Sequence, residues 1–109
     1  MLGQSIFTPH NRIDTHSQAE VKNKLESFIE HSTHQDILVD FASVEFVDGS
    51  GLIALVKAYQ QARRKNKNFY LFNVSPAVRL IFEISQLDQV LPIKDLNCQS
   101  NMYSGRLAA

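Results

Sequence analysis

The chain has 109 residues, 44% of them hydrophobic, and its charges balance to a formal net of zero. This length supports one hydrophobic core, so we expect a single domain over residues 1–109. Neutral charge argues against broad attraction to nucleic acid or to an anionic membrane. The sequence contains no run of roughly 20 apolar residues that would span a membrane and no signal-peptide pattern. With a single cysteine, Cys98, a cytoplasmic protein is expected.

The first half of the chain predicts one helix followed by two short strands. Ser17 and Glu20 have the spacing of a capping box, which predicts a helix start at Gln18, and the helical pattern continues to His31. Residues 37–41 form a short apolar run typical of a buried parallel strand, and residues 44–47 form a second strand or an extended approach to the next helix. The apolar face of the helix consists of Val21, Leu25, Phe28 and Ile29.

A second helix is predicted to begin near Ser50. The basic residues 63–67 lie at its end, where cations complement the helix dipole, and Asn66 can adopt the left-handed cap conformation. This charged run therefore indicates a solvated helix end rather than a nucleic-acid patch. The inner face of the helix is predicted to consist of Leu52, Leu55, Val56, Tyr59 and Ala62.

The remaining elements are a buried strand over residues 69–74, a third helix, and a last short strand over residues 90–93. Ser75 can cap the third helix, with Pro76 at its first position. Pro92 indicates that the last strand lies at a sheet edge. The apolar stripe predicted for the third helix consists of Ala77, Leu80, Ile81, Ile84 and Leu87.

The order of these elements predicts the fold class. Helices alternate with strands, which is typical of an α/β domain with a mostly parallel sheet and crossover helices. The core of the domain extends over about residues 12–93, and residues 94–109 form a polar tail without sustained periodicity.

The patterns of known catalytic and metal sites are not matched around Ser50. A hydrolase nucleophile elbow requires glycine at the positions that Asp48 and Leu52 occupy. The glycine-rich motifs of P-loops and of dinucleotide-binding sites are not present either. His31 and His34 are three residues apart, but no cysteine or carboxylate pair completes a metal site. We therefore expect a protein that is not an enzyme and holds neither a metal nor another cofactor.

Ser50 has two interpretations from its immediate surroundings. Serine and aspartate both cap helices, so either Ser50 or Asp48 can cap the second helix. However, Gly51 in a first helical turn costs about 0.5–1 kcal/mol relative to alanine, which suggests close approach by another group. The free N–H groups at a helix start favour an anion such as a phosphoryl group. The residues alone leave both the cap and the phosphate acceptor open.

Residues 44–56, VEFVDGSGLIALV, resemble the phosphosite signature of STAS domains, specifically of bacterial anti-sigma factor antagonists. The similarity extends over about residues 12–93, including Arg12-Ile13-Asp14 before the first helix and the segment of residues 69–93. The residues that match the signature in its order are Asp48, Gly49, Ser50, Gly51 and Leu52.

This resemblance implies a single STAS domain that acts as a regulatory ligand. In the family, the unphosphorylated protein binds an anti-sigma factor, which is also a serine kinase that uses ATP and magnesium, and sigma factor is released. Phosphorylation of the serine that matches Ser50 ends binding, and a metal-dependent serine phosphatase reverses it. The resemblance implies partner contacts at Asp14, Asp48, Gly49, Gly51 and Leu52.

The N-terminal part departs from the family pattern. Relatives carry a longer lead with an extra strand, whereas residues 5–8 here suffice only for a shortened strand, and Asn11 lies near the usual glycine. A shortened edge leaves a strand open to pairing with a second chain, which allows a homodimer. An alternative function is that of a STAS subunit in a stress-signalling scaffold or lipid transporter, in which Ser50 is not modified.

Overall fold

A computed structural model describes residues 4–94 of the chain. Within this range strands and helices alternate as expected, which confirms the predicted α/β class. A 3-10 turn, Leu87–Gln89, precedes the last strand of the described range. The elements are β1 (Gln4–Phe7), β2 (Asn11–Ile13), α1 (Gln18–His31), β3 (Asp36–Asp40), β4 (Val44–Val47), α2 (Gly49–Arg64), β5 (Asn68–Phe72), α3 (Pro76–Ile84) and β6 (Ile93–Lys94).

The strands form two parallel sheets. The larger sheet has the order β1-β3-β5-β6, with Leu38 of β3 in register with Ile6 on one side and Tyr70 on the other. The smaller sheet pairs β2 with β4. The predicted last strand begins later than expected because the Leu87–Gln89 turn extends to a hydrogen bond from Leu91 N to Leu87 O. The predicted tail lies outside the described residues except for Lys94.

The core lies between the sheets and the helices. The predicted inner face of α1 is confirmed, since Leu25 and Ile29 are buried and Val21 and Phe28 pack partly buried against the core. No helix within residues 4–94 is long and apolar enough to cross a membrane. The buried residues of α2 include three small residues beyond the predicted face, so the full set is Gly51, Leu52, Ala54, Leu55, Ala58 and Ala62.

The predicted capping box at α1 is wrong. The Ser17 side chain makes no cap hydrogen bond to the helix; it donates to Arg12 O at 2.7 Å and accepts from Asp14 N at 3.1 Å. The reason is the turn before the helix. There the Asp14 carboxylate accepts from Ser17 N at 3.2 Å, which is the donor that Glu20 would bond in a capping box. The serine hydroxyl is engaged by Arg12 and Asp14 instead.

The predicted buried stripe of α3 is correct only in part: Ile81 and Leu87 pack partly buried against the core, but Ala77 is exposed. Val78 and Phe82 are fully buried, whereas Leu80 and Ile84 are 52% and 75% exposed. The sequence PAVRLIFEI is apolar on more than one side, and packing against β4 and the Phe41 ring, 6.1 Å from the Phe82 ring, selects the buried side. The helix start follows the prediction: the Ser75 hydroxyl accepts from Val78 N at 3.2 Å.

Candidate functional site

Ser50 lies in the first turn of α2, directly after β4. The cap of this helix is Asp48, whose Oδ1 accepts from Gly51 N at 3.0 Å. Of the two possible caps, the structure therefore uses the aspartate. The Ser50 side chain is partly exposed, and its hydroxyl is left for other interactions.

The pairing of β2 with β4 brings a second chain segment to the start of α2. Ile13 is in register with Val47, and Asp48 N donates to Ile13 O at 3.1 Å. Since the two strands are parallel, the residues that follow each of them emerge at the same end of the small sheet. Asp14, which follows β2, is thereby placed on the same side of the molecule as Asp48, which follows β4.

Thr15 is a neighbour of Ser50 that the sequence analysis did not identify. Its Oγ1 lies 3.3 Å from Ser50 Oγ and 3.4 Å from Asp48 Oδ2, and its backbone N donates to Asp48 Oδ2 at 3.2 Å. Its one signal in the sequence is its place directly after Asp14. Without knowledge of the β2–β4 pairing, that place does not indicate proximity to Ser50.

The Asp14 carboxylate is engaged in the turn that joins β2 to α1. Its Oδ1 accepts from His16 N at 3.0 Å, and Arg12 Nε donates to Oδ2 at 3.4 Å. Partial desolvation raises the pKa of Asp14, but the hydrogen bonds from His16, Ser17 and Arg12 outweigh it and hold the pKa below its ordinary value. Asp14 is thus a structured, ionised carboxylate at neutral pH.

The two glycines beside Ser50 have different roles. A Cβ on Gly51 would lie 2.1 Å from Ile13 O, so the close approach that requires this glycine comes from β2 and not from an external group. A Cβ on Gly49 would meet no atom within 4 Å. Leu52 is only 7% exposed and belongs to the core. The accessible apolar side chain here is Ile53, which is 59% exposed one turn beyond Ser50.

The two histidines considered for metal binding have separate surroundings. His31 Nδ1 donates to Ser27 O at 2.9 Å, whereas His34 Nδ1 is 2.8 Å from Ser5 Oγ. In residues 4–94, no three His, Cys, Asp or Glu side chains are grouped so that they would hold a metal ion.

Residues 3–97 match the sequence pattern of the STAS domain family. This match covers most of the chain and includes all the strands and the three helices described above. The chain therefore belongs to the STAS domain family, as the resemblance of residues 44–56 indicated.

This chain is similar in sequence to an anti-sigma factor antagonist and similar in fold to a further regulator and to part of a transporter. The anti-sigma-B factor antagonist of Listeria monocytogenes is 28% identical over 91 residues, which cover 82% of this chain and 77% of the relative. The structure of the Bacillus cell fate determinant SpoIIAA in its phosphorylated form has a TM-score of 0.61 at 19% identity and covers 86% of this chain and 85% of that one. The murine anion transporter Slc26a9 has a TM-score of 0.77 at 19% identity, over 93% of this chain and 18% of the transporter.

Proposed function

We propose that this chain is an anti-sigma factor antagonist whose binding is switched off by phosphorylation of Ser50. Unphosphorylated, it binds an anti-sigma factor that is also a serine kinase, and the sigma factor is released. The observation that carries this proposal is the partly exposed Ser50, whose hydroxyl is not used as the helix cap and shares the Thr15 hydroxyl as a neighbour with the Asp48 carboxylate. Family membership and the name of the Listeria relative support it.

The proposed docking surface is centred on the start of α2. Gly49 is exposed, and a Cβ placed there would meet nothing within 4 Å, so a partner can approach the backbone. Ile53 offers exposed apolar area one turn further along. Gly51 and Leu52, which the resemblance also assigns to partner contact, are buried; we propose that they act by holding α2 against β2 and the core.

Phosphorylation would place new charge beside existing carboxylates. Phosphoserine carries about −1.5 to −2 charges at neutral pH. Two unit charges 4 Å apart repel by about 4 kcal/mol at an effective dielectric of 20, and shifting a complex from 99:1 to 1:99 requires about 5.5 kcal/mol. In the free protein water screens the phosphoryl group from Asp48, but a docked partner would exclude that water. The repulsion and desolvation in the complex are therefore of the size that a switch needs.

In this cycle the chain is substrate and ligand rather than catalyst. Ser50 Oγ forms a bond to the γ-phosphorus of ATP, the bond from that phosphorus to the ADP oxygen breaks, and the serine proton passes to a general base of the kinase. A metal-dependent serine phosphatase then transfers the phosphoryl group to water and restores the hydroxyl. The ATP, the magnesium and the phosphatase metal belong to the partners.

The test of the switch compares Ser50→Asp with Ser50→Ala. Both variants are used to capture proteins from host extract, and the captured anti-sigma factor is then titrated with each by calorimetry. We expect Ser50→Ala to bind like the wild type and Ser50→Asp to bind at least tenfold more weakly, about 1.4 kcal/mol. Adding Asp48→Asn, which keeps a good capping residue but removes the charge, should restore part of the binding. Equal affinities of Ser50→Ala and Ser50→Asp would rule out the switch.

The alternative is a STAS subunit of a fixed assembly, because the same fold occurs inside a murine anion transporter. In that case Ser50 is never modified. Intact mass of the protein purified from its host separates the two functions, since one phosphoryl group adds about 80 Da. A phosphorylated fraction mapped to Ser50 supports the antagonist; its absence under every growth condition supports the fixed subunit.

A further inference from the structure

We propose that Thr15 is a positioning residue that holds Ser50 Oγ in place for phosphoryl transfer, a role that rests on the proposed function. Thr15 lies 35 residues before Ser50 in the sequence, yet its Oγ1 is 3.3 Å from Ser50 Oγ. It is the side chain that links the serine to the Asp48 carboxylate.

The direction of the hydrogen bonds follows from the groups involved. A carboxylate only accepts hydrogen bonds, so the single hydroxyl proton of Thr15 is donated to Asp48 Oδ2 at 3.4 Å. Thr15 Oγ1 is then left as an acceptor for the Ser50 hydroxyl. The result is a chain from Ser50 through Thr15 to Asp48, in which each bond polarises the next. Bonds of this length are typical of unoccupied sites that tighten when the reaction partner binds.

Thr15 is itself fixed on the framework of the small sheet. Its backbone N donates to the same Asp48 Oδ2 at 3.2 Å, and Asp48 N is bonded to Ile13 O. The Thr15 backbone is therefore anchored, and it carries the exposed hydroxyl at a defined place beside Ser50. This hydroxyl sets the position of Ser50 Oγ, while the serine proton can still turn about the Cβ–Oγ bond toward a base of the kinase.

Without this partner, the serine has a competing interaction. A serine near the start of a helix can hydrogen-bond to neighbouring backbone groups, which would draw its oxygen toward the backbone and away from solvent. The Thr15 hydroxyl favours the rotamer in which Ser50 Oγ stays within 3.3 Å of Thr15 Oγ1. Misplacement of a reacting atom by about 1 Å can lower a rate about 100-fold, so the rotamer matters for transfer.

The experiment compares Thr15→Val, which removes only the hydroxyl function, with Thr15→Ser, which retains it. Thr33→Val, at an exposed threonine after α1, is the matched control. Each full-length protein is incubated with host extract, ATP and Mg²⁺, and the initial rate of Ser50 phosphorylation is measured by mass spectrometry. The Ser50 χ1 rotamer is measured in parallel from NMR three-bond couplings, and folding is verified by urea denaturation.

We expect Ser50 of the Thr15→Val protein to be phosphorylated about tenfold more slowly and to show averaged three-bond couplings. Thr15→Ser and Thr33→Val should behave like the wild type. A Thr15→Val protein with the wild-type rate or a single wild-type rotamer overturns the role of Thr15. If the wild type is not phosphorylated at all, the proposed function fails, and the couplings alone then decide whether Thr15 sets the serine rotamer.

Discussion

At the scale of single residues, the two glycines that flank Ser50 provide a matched pair. Gly51→Ala would force Cβ to within 2.1 Å of Ile13 O, so β2 or α2 must shift, and we expect a loss of about 1–3 kcal/mol of unfolding free energy. Gly49→Ala adds a methyl group in open space and should stabilise by about 0.4–1 kcal/mol through the unfolded chain. Urea denaturation measures both; equal destabilisation would contradict the close contact with β2.

The lowered pKa of Asp14 is expected to make the stability of the fold depend on pH. Because its pKa is lower in the folded state than its ordinary value of 3.8, its ionised form stabilises the fold above that pH. This contribution is lost as the pH falls through the folded-state value. The wild type should therefore have a higher melting temperature than Asp14→Asn at about pH 6, and the difference should shrink below about pH 3.8. Glu45→Gln, at an exposed carboxylate of β4, is the control; a pH-independent difference for Asp14→Asn would contradict the mechanism.

At the scale of elements, α3 shows how packing selects one side of an apolar helix. Phe82 is fully buried against the Phe41 ring, whereas Ile84 is 75% exposed. We expect Phe82→Ala to cost about 3–5 kcal/mol, because it leaves a cavity in the core, and Ile84→Ala to change stability by less than about 0.5 kcal/mol. Urea denaturation again provides the measurement. Similar losses for both variants would mean that the buried side of α3 was assigned incorrectly.

At the scale of the whole molecule, β1 is an edge strand of the four-stranded sheet, and its Ile6 is 54% exposed. Unpaired backbone groups on an edge strand favour pairing with a second copy, so we expect a dimer that forms as concentration rises. Sedimentation velocity over a range of concentrations tests this, with Ile6→Lys expected to abolish the dimer. Ile53→Lys, at the exposed isoleucine of α2, should leave self-association unchanged but weaken partner binding. A wild type that stays monomeric throughout would contradict the expectation.

The sequence by itself determined the structural features that depend only on residues within one or two helical turns. The residue pattern placed α1 at Gln18–His31, although the capping box expected at its start does not form. The asparagine preference for left-handed backbone was met at Asn66, with φ of 59°, and Ser75 caps α3. Each of these depends on neighbours a few residues away, so a linear pattern carries the information.

Only the tertiary structure decided which side of α3 is buried, why Gly51 is required and that Thr15 lies beside Ser50. These features join residues tens of positions apart: the contact between Gly51 and Ile13 and the contacts of Thr15 with Asp48 and Ser50 exist because β2 pairs with β4. The burial of Val78 and Phe82 likewise follows from the packing of α3 on β4 and Phe41. Strand pairing and core packing depend on the whole chain, and no local pattern in the sequence records them.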